Sequence, residues 1–390
     1  MQGFFIDKLN VVQNHLNDDG QTLPLVGREK LFRVDLETGV STELVTHLQL
    51  EGSYSSSVIV RSDGNKVECY GNPSRWGRID NLFGYTTIQE CIDVYNVILV
   101  SLGLPIFTKC TKYIYLTGKD GKPAPKSADG AVIKHIDWTR NLFVGQGNER
   151  PFLKGLSTQS IGRSVSPFLY PNENTVEWFG KTAQKNGSTY RYVKCYTKTA
   201  DLLRHQKKNT INQSISDQDY YQKLIEFSAT TGIVREEHSF KRPFLLKYNL
   251  FAFGLFDESE FTIHLSCLDE IRQRLEVSNM KYETIAQQLL DQGICPNRQS
   301  ANSTQCYYSM WLHGEYIDKD SRQYYRHKKR LLQLGIDISQ KLDISRAPIR
   351  LKEAQIIECG VLTAPDWYKM PVKPEHVSKP VLTPKFRLVA

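Results

Sequence analysis

Three segments in the first 250 residues alternate polar and apolar side chains with the two-residue period of a β-strand. They span residues 133–139, 190–198 and 234–239. Alternate side chains of a strand point to opposite faces, so each segment collects charged, histidine or tyrosine side chains on one side. The pattern predicts a β-sheet in which several strands share a polar face.

The first segment separates its side chains most clearly. His135, Asp137 and Thr139 fall on one face, and Ile136 and Trp138 fall on the other. Only one side of such a strand is suited to a hydrophobic core. The side chains on the other side are either exposed to solvent or form part of a catalytic site.

The other two segments supply complementary groups. Lys194, Tyr196 and Lys198 share a face of the second segment, and Arg235 and Glu237 share a face of the third. If the three strands lie in one sheet, the polar face holds a carboxylate pair, a tyrosine and a lysine.

This combination of groups suits the cleavage of a phosphodiester. A tyrosine oxygen can attack phosphorus and hold the nucleic acid as a phosphotyrosine. The charge that develops on the phosphate then needs a divalent ion, for which Asp137 and Glu237 are candidate ligands and His135 a third. A lysine or arginine beside the tyrosine would stabilise the transition state. The alternative is a solvated face without chemistry, which is common in antiparallel sheets.

From about residue 243 onward, the pattern becomes helical. The stretch "SRQYYRHKKRLLQLG", preceded by Gly314 near a turn, is compatible with a helix-turn-helix. Its basic side chains would contact phosphates, and its aromatic side chains would stack on bases. A solvated basic helix face is the alternative. The candidate DNA-binding residues are Tyr324, Arg326, Lys328, Lys329 and Arg330.

Composition narrows the class of protein. The net charge of +8 fits a polyanionic partner, and eight scattered cysteines without a CxxC pair argue against a zinc ribbon or a disulfide framework. No run approaches the ~18 apolar residues of a membrane span. No GxxxxGK[ST] phosphate loop occurs, so we expect no built-in ATPase or helicase. These features predict a soluble protein of a reducing cytoplasm.

A chain of 390 residues suggests more than one domain. We expect an α+β domain over residues 1–250 and a smaller helical domain over residues 251–362, which binds DNA or mediates association. Five prolines in the last ~30 residues predict an extended tail over residues 363–390.

Seven segments, in order along most of the chain, resemble the gene II replication initiators of filamentous bacteriophages and the related initiators of integrating filamentous phages. They are "FFIDKL", "VECYGNPSRW…NLFG", the strand with "HID", "CYTKTADL", "IVREEHSFKR", "YYRHKKRLLQLGIDI" and "ECG…APDWYKMPV". The stretch "EWFG…YRYVKCYTK" also resembles the Tyr-x-Lys hairpin of some plasmid rolling-circle initiators.

The resemblance implies an α+β fold, with an antiparallel-sheet nuclease domain of the rolling-circle initiator type followed by a smaller helical domain. It implies a site-specific enzyme of the host bacterial cytoplasm that nicks the plus strand at a double-stranded phage origin. Such an enzyme leaves a 3′ hydroxyl for the host polymerase and later rejoins the displaced single strand. By family analogy it uses Mg²⁺ (or Mn²⁺) and a host helicase, and it can self-associate on DNA.

The family's motifs carry over at particular positions. Tyr196 and Lys198 match its Tyr-x-Lys, and Arg235 and Glu237 match its Arg-x-Glu strand. Asp137 matches its Ile-Asp strand. His135 stands where that strand often has arginine, and the His-hydrophobic-His metal motif of the wider superfamily is missing from the sequence.

We therefore assign Tyr196 as the nucleophile, with Lys198 and Arg235 as its electrostatic helpers. Asp137, Glu237 and His135 are the metal-ligand candidates. Tyr190, Tyr192 and Tyr324 compete as nucleophiles, and Tyr196 has the alternative of a purely structural role. The competing functions are a non-catalytic origin- or single-strand-binding regulator, and a relaxase or transposase of related chemistry.

Overall fold

The structure is a computed structural model. It describes residues 2–15, 23–26, 30–34, 37–38, 40–45, 48–51, 57–117, 123–161, 165–180, 189–210, 213–278, 285–340 and 357–374.

Antiparallel strands dominate the first two thirds of the described chain. They are β1 (Phe5–Asn14), β2 (Lys30–Val34), β3 (Ser41–Val45), β4 (Leu48–Glu51), β5 (Ser57–Ser62), β6 (Lys66–Gly71), β7 (Tyr113–Thr117), β8 (Pro123–Ala128), β9 (Val132–Phe143), β10 (Val165–Leu169), β11 (Thr175–Gly180), β12 (Arg191–Thr197), β13 (Ile233–Lys241) and β14 (Gly360–Val361). Ten of them form one sheet in the order β10-β11-β12-β13-β9-β1-β6-β5-β4, with β14 paired to β9. The pairs β2–β3 and β7–β8 stand apart.

The helices lie between the strands and, increasingly, after them. They are α1 (Ile88–Ser101), α2 (Glu149–Leu156), α3 (Lys198–Thr210), α4 (Ile215–Thr231), α5 (Arg242–Lys247), α6 (Thr262–Leu265), α7 (Cys267–Ser278), α8 (Ile285–Asp291), α9 (Arg298–Leu312) and α10 (Arg322–Gln333). The α+β fold class, with a large antiparallel sheet and a C-terminal helical region, is therefore confirmed.

Helix α1 forms where the helical spacing predicts it. Thr87 and Glu90 make a reciprocal capping box at its start, which satisfies backbone N–H groups that the helix leaves open. Its apolar stripe, with Ile92 and Ile98 at its centre, packs in the main core with the apolar face of β1, β6 and β9.

Helix α4 passes directly into β13 through one glycine. Gly232 has φ of +65°, and a Cβ there would collide with the backbone of Gly145. Only glycine fits both demands. The tight junction fixes where β13 starts, and thereby fixes which of its residues face which side.

The helical region has a core of its own. Side chains of α8, α9 and α10, among them Leu289, Ala301 and Leu331, form a separate cluster. Hydrogen bonds join this region to the sheet domain: the Gln159 side chain donates to the Gly335 carbonyl (2.6 Å), and the Ser160 N–H donates to Asp337 (3.0 Å).

The cores divide the chain at points that differ from the predicted domain boundaries. Phe251 and Phe261 belong to the main core of the sheet domain, and Ile271 packs with β11 and β12. Residues 357–374, here called the C-terminal strap, return to the sheet, where β14 pairs with β9. Residues 375–390 of the predicted tail lie outside the described residues.

The strap is held by a buried hydroxyl. Tyr368 donates to Asp80 (2.6 Å), and its oxygen accepts from Arg78 (2.7 Å) and from the Phe83 N–H (2.9 Å). These contacts fix the loop of residues 78–83 against the sheet.

Strands β11 and β12 form a hairpin over the stretch that resembles a Tyr-x-Lys hairpin, and they pair from Thr175↔Tyr196 to Trp178↔Val193. Strands β7 and β8 pair with each other, and the Asp-Gly between them at residues 120–121 lies outside the described residues. None of the helices in the described ranges is both long enough and apolar enough to cross a membrane.

Candidate active site on the sheet

The three polar segments are neighbouring strands of one sheet, as the pattern predicts. Tyr196 lies opposite Arg235, Lys194 opposite Glu237, and Asp137 opposite Ser239. Because antiparallel partners share a face, these side chains come together on one side of β12, β13 and β9. We call this side the polar face.

Tyr196 and Glu237 form the central contact of the polar face. The Tyr196 hydroxyl donates to Glu237 Oε1 at 2.7 Å, and Lys194 Nζ lies 2.7 Å from Glu237 Oε2. Burial and the charge of Glu237 raise the pKa of Tyr196 well above its ordinary range, and Arg235 opposes this shift. The hydroxyl is therefore protonated in the free protein, with a carboxylate positioned to accept its proton.

Asp137 lies in a second cluster beside the first. His135 Nε2 is 2.6 Å from Asp137 Oδ1, 2.9 Å from Ser239 Oγ and 2.7 Å from Lys241 Nζ. Burial opposes ionisation of Asp137, but the contacts with His135 and Ser239 lower its pKa to about 2. Asp137 is a carboxylate at any physiological pH.

The predicted metal ligands fit a magnesium ion only in part. In the described residues, His, Cys, Asp and Glu side chains nowhere gather in a group of three or more that could hold a metal ion. His135 contacts Asp137 directly, and Glu237 is held by Tyr196 and Lys194. Mg²⁺ is commonly bound by one or two carboxylates together with waters and phosphate oxygens. Asp137 and Glu237, diagonal neighbours on one face, suit that mode of binding.

Lys198 is buried at the start of a helix and does not belong to the strand. Strand β12 ends at Thr197, so Lys198 is the first residue of α3 and leaves the strand alternation on which its prediction rested. It is 1% exposed, and Nζ donates to Asp201 (2.9 Å) and to Asn81 Oδ1 (3.1 Å). Burial and the charge of Arg235 lower the pKa of Lys198.

Arg235 is fully buried next to it. Its Nε donates to Asn141 (3.0 Å), and Nη2 donates to the carbonyls of Asn81 (2.7 Å) and Leu82 (2.8 Å). Its Nη1 lies 3.9 Å from Asp7 Oδ1. Arg235 has no exposed surface, and its charge opposes the rise in the pKa of Tyr196.

Lys8 lies opposite Asp137 on β1 and was not among the predicted site residues. Its signal was an Asp-Lys pair between apolar residues of "FFIDKL". Although burial opposes it, the charges of Asp137 and Asp7 raise the pKa of Lys8. Lys8 thus adds a cation to the polar face beside the carboxylates.

The competing tyrosines occupy distinct places. Burial raises the pKa of Tyr192 to about 12, and within the described residues no hydrogen bond reaches its hydroxyl. Tyr192 lies opposite Ser239, on the polar face. Tyr190 packs against Phe244 at 5.3 Å between ring centroids. Tyr324 is buried in the helical core, away from the sheet.

Helix α10 splits the predicted DNA-binding residues between its two sides. Arg326 and Lys329 are exposed, whereas Tyr324 and Lys328 are buried. Lys328 Nζ lies 3.8 Å from Asp337 Oδ1. Arg330 is half-buried and donates to Thr304 Oγ1 (3.3 Å). The placement removes Tyr324 and Lys328 from the surface, because they form the side of the helix that packs on α9.

Comparisons with known proteins bear on this fold and site. Residues 289–374 match the family that comprises the C-terminal part of the replication-associated gene II protein. The chain is 37% identical over 318 residues to the replication-associated gene II protein of Escherichia phage If1, covering 80% of this chain and 97% of that relative.

The chain belongs to the gene II family of filamentous phages. The resemblance seen in the sequence is thereby confirmed. Among solved structures, the rolling circle replication initiator protein from Geobacillus stearothermophilus is similar over 62% of this chain and 76% of that chain, with 12% identity and a TM-score of 0.24. Likeness at that level transfers neither residues nor activity.

Proposed function

We propose that this gene II family chain is a rolling-circle replication initiator that nicks the plus strand at a double-stranded phage origin and rejoins the displaced strand. The observation that carries the proposal is the contact of the Tyr196 hydroxyl with Glu237, 2.7 Å long, on a sheet face that also holds Asp137. Replication is the process named for the relative in phage If1.

In the nicking step, the Tyr196 oxygen attacks the scissile phosphorus and its proton passes to Glu237. A phosphotyrosine bond forms, and the bond from phosphorus to the 3′ oxygen breaks. The departing 3′ oxygen takes up a proton from water and leaves as a 3′ hydroxyl. Lys194, released from Glu237 as that carboxylate takes up the proton, is placed to stabilise charge on the phosphate. In the joining step, a 3′ hydroxyl attacks the phosphotyrosine, and Tyr196 recovers its proton.

Asp137 would hold Mg²⁺ or Mn²⁺ in this site, together with Glu237 before that carboxylate takes up the proton of Tyr196. The ion would neutralise negative charge on the phosphate oxygens. Lys198 and Arg235 are positioning residues, because their buried contacts fix the end of β12 and the field around Tyr196.

The partners follow from this activity. Arg326 and Lys329 of α10 would contact origin phosphates, and the helical region would also support self-association on DNA. A host helicase and the host polymerase would act on the nicked strand in the bacterial cytoplasm.

The test is magnesium-dependent nicking of a supercoiled plasmid that carries the phage origin. Wild type is compared with Tyr196→Phe, Tyr192→Phe and Asp137→Ala, each checked for folding by circular dichroism. Denaturing gels and mass spectrometry then identify a peptide bound to DNA. We expect wild type and Tyr192→Phe to nick and to form an adduct on Tyr196, and the other two variants to bind DNA without cutting it.

Three results would change the proposal. An adduct on Tyr192 would keep the enzyme class and move the nucleophile to another position on β12. Salt-sensitive DNA binding without scission under any divalent ion would favour a non-catalytic origin- or single-strand-binding regulator. Preference for a transfer origin or a transposon end over a phage origin would indicate a relaxase or transposase.

A further inference from the structure

The hairpin of β7 and β8, here called the hairpin arm, holds three consecutive apolar side chains in solvent. Ile114 is 42% exposed, and Tyr115 and Leu116 are each 57% exposed. In the described part of the chain, the two strands pair only with each other. Exposed apolar side chains that lie together mark an interaction surface, and an isolated hairpin gains stability from a partner. The arm therefore has the character of a binding element.

The base of the arm is fixed to the main core. The Tyr113 ring lies 5.5 Å from the Phe251 ring, and the Arg242 guanidinium lies 4.9 Å above the same ring. Arg242 also donates to the Lys126 carbonyl at 2.6 Å. An arm anchored in this way presents its exposed residues without the entropic cost of ordering a loose loop.

The positive charge of the arm favours a negatively charged partner. Residues 109–128 contain five lysines and one aspartate, with no arginine or glutamate. Of these, Lys112 and Lys126 are exposed beside the apolar residues. The nearby carboxylate of Asp129 accepts a hydrogen bond from the backbone N–H of Lys112 at 3.1 Å, so it points toward the bottom of the hairpin arm. The surface combines cations with an exposed aromatic ring.

Addition of a β-strand along β8 is disfavoured. Pro123 and Pro125 have no backbone N–H, so β8 makes a poor edge for pairing with a protein strand. Single-stranded DNA makes no such demand, because its bases stack on aromatic rings and its phosphates pair with lysines.

The arm is joined to the polar face by a short stretch of chain. Strand β8 leads through residues 129–131 into β9, which carries Asp137. At about 3.3 Å per residue, Ala128 and Asp137 are at most about 30 Å apart. A single strand held at Asp137 therefore has to extend over no more than about this distance to reach the arm.

We propose that the hairpin arm binds single-stranded DNA, with Tyr115 stacking on a base and Lys112 and Lys126 contacting phosphates. The inference rests on the proposed function, since it takes the strand nicked on the polar face as the ligand. It adds a second contact that holds this strand at a distance from Tyr196.

The test measures binding of a fluorescent oligothymidylate, and of a duplex of equal length, by anisotropy. The variants are Tyr115→Ala, Tyr115→Trp and the double change Lys112→Gln with Lys126→Gln. Leu203→Ala, which alters an exposed apolar residue on α3, is the matched control. We expect Tyr115→Ala to weaken single-strand binding about 5- to 100-fold, the range for loss of one stacked base. Tyr115→Trp should retain wild-type affinity, and the double change should lower the salt dependence.

Several outcomes would overturn the inference. One is unchanged single-strand affinity in Tyr115→Ala; another is an equal loss for duplex and single strand, which would indicate a duplex contact. Loss of affinity in Leu203→Ala equal to that in Tyr115→Ala would show a non-specific effect. Nicking of the origin plasmid is measured in parallel. If wild type nicks while Tyr115→Ala binds normally, only this inference fails; if wild type binds DNA but never nicks, the proposed function fails and the arm is still tested.

Discussion

The two faces of strand β13 carry charge in contrasting ways. On the polar face, Glu237 contacts a tyrosine hydroxyl and a partly exposed lysine. On the opposite face, Glu236 is fully buried, with Arg140 at 2.9 Å and His238 at 2.7 Å. Adjacent carboxylates of one strand thus differ in their surroundings: Glu236 has no exposed surface, whereas Glu237, which is 6% exposed, contacts a lysine that solvent reaches.

The surroundings of Glu236 keep this carboxylate ionised. Burial opposes ionisation of Glu236, but contacts with His238 and Arg140 lower its pKa to about 2. Arg272 adds a further contact at 3.4 Å from the same carboxylate. A buried ion network of this kind has no spare partner for a substrate, and removing one member leaves uncompensated charge. Glu237, by contrast, contacts one tyrosine and one lysine.

The largest expected effect is on the polar face. Tyr196→Phe removes the nucleophile and should lower the nicking rate by about 10³-fold or more. Because it deletes one hydrogen bond, it should change the free energy of unfolding by only about 1 kcal/mol. Origin nicking and urea unfolding measure the two quantities. Nicking within about tenfold of wild type would show that Tyr196 is a structural strand residue.

On the opposite face, we expect a substitution to act mainly on the stability of the fold. Glu236→Gln leaves Arg140, Arg272 and His238 without their shared carboxylate, so we expect it to lower the free energy of unfolding by about 3–5 kcal/mol. The matched change Glu237→Gln should cost far less stability and yet abolish nicking. Equal losses of stability in the two variants, measured by urea denaturation, would contradict the contrast between the faces.

Lowering the pH should remove, over a defined pH range, the stabilisation that ionised Glu236 gives the opposite face. The ordinary pKa of a glutamate, 4.5, falls to about 2 for Glu236 in the folded protein. The stabilisation is therefore present above pH 4.5 and is lost as the pH falls toward 2, a loss of about 3 kcal/mol. Across this range, the free energy of unfolding should fall more steeply with decreasing pH for wild type than for Glu236→Gln. Equal slopes for the two proteins would assign the acid sensitivity to other carboxylates, such as Asp137.

The smallest expected effect concerns helix α10, where the contrast is between an exposed and a buried lysine. Exposed Lys329 and buried Lys328 are adjacent. Lys329→Gln should lower the slope of log affinity for origin DNA against log salt by about one unit, and Lys328→Gln should leave it unchanged. Filter binding at several salt concentrations measures both. A reduced slope in Lys328→Gln would place that lysine at the DNA.

The strand alternation was enough to predict the polar face, because period-two patterning fixes which side chains share a side. It could not place Lys198 or Arg235, since their burial depends on Asn81 and Leu82, which are distant along the chain. Neither could it separate Lys328 from Lys329, because the packing of α9 decides which side of α10 is buried.

The hairpin arm was missed for a different reason. Pro123 and Pro125 are typical of loops, and tertiary contacts of Tyr113 and Arg242 overcome that tendency. The helical region that begins near residue 243 was predicted correctly, since the spacing of apolar residues along a helix is a local signal.

The C-terminal strap has a consequence for the timing of synthesis. Tyr368 clamps the loop of residues 78–83, whose carbonyl groups hold Arg235 behind Tyr196. A ribosome reaches codon 368 only after it has translated every strand that contributes to the polar face. A nascent or prematurely terminated chain thus carries Tyr196 without the finished support of Arg235, and release of a complete polypeptide precedes assembly of the polar face.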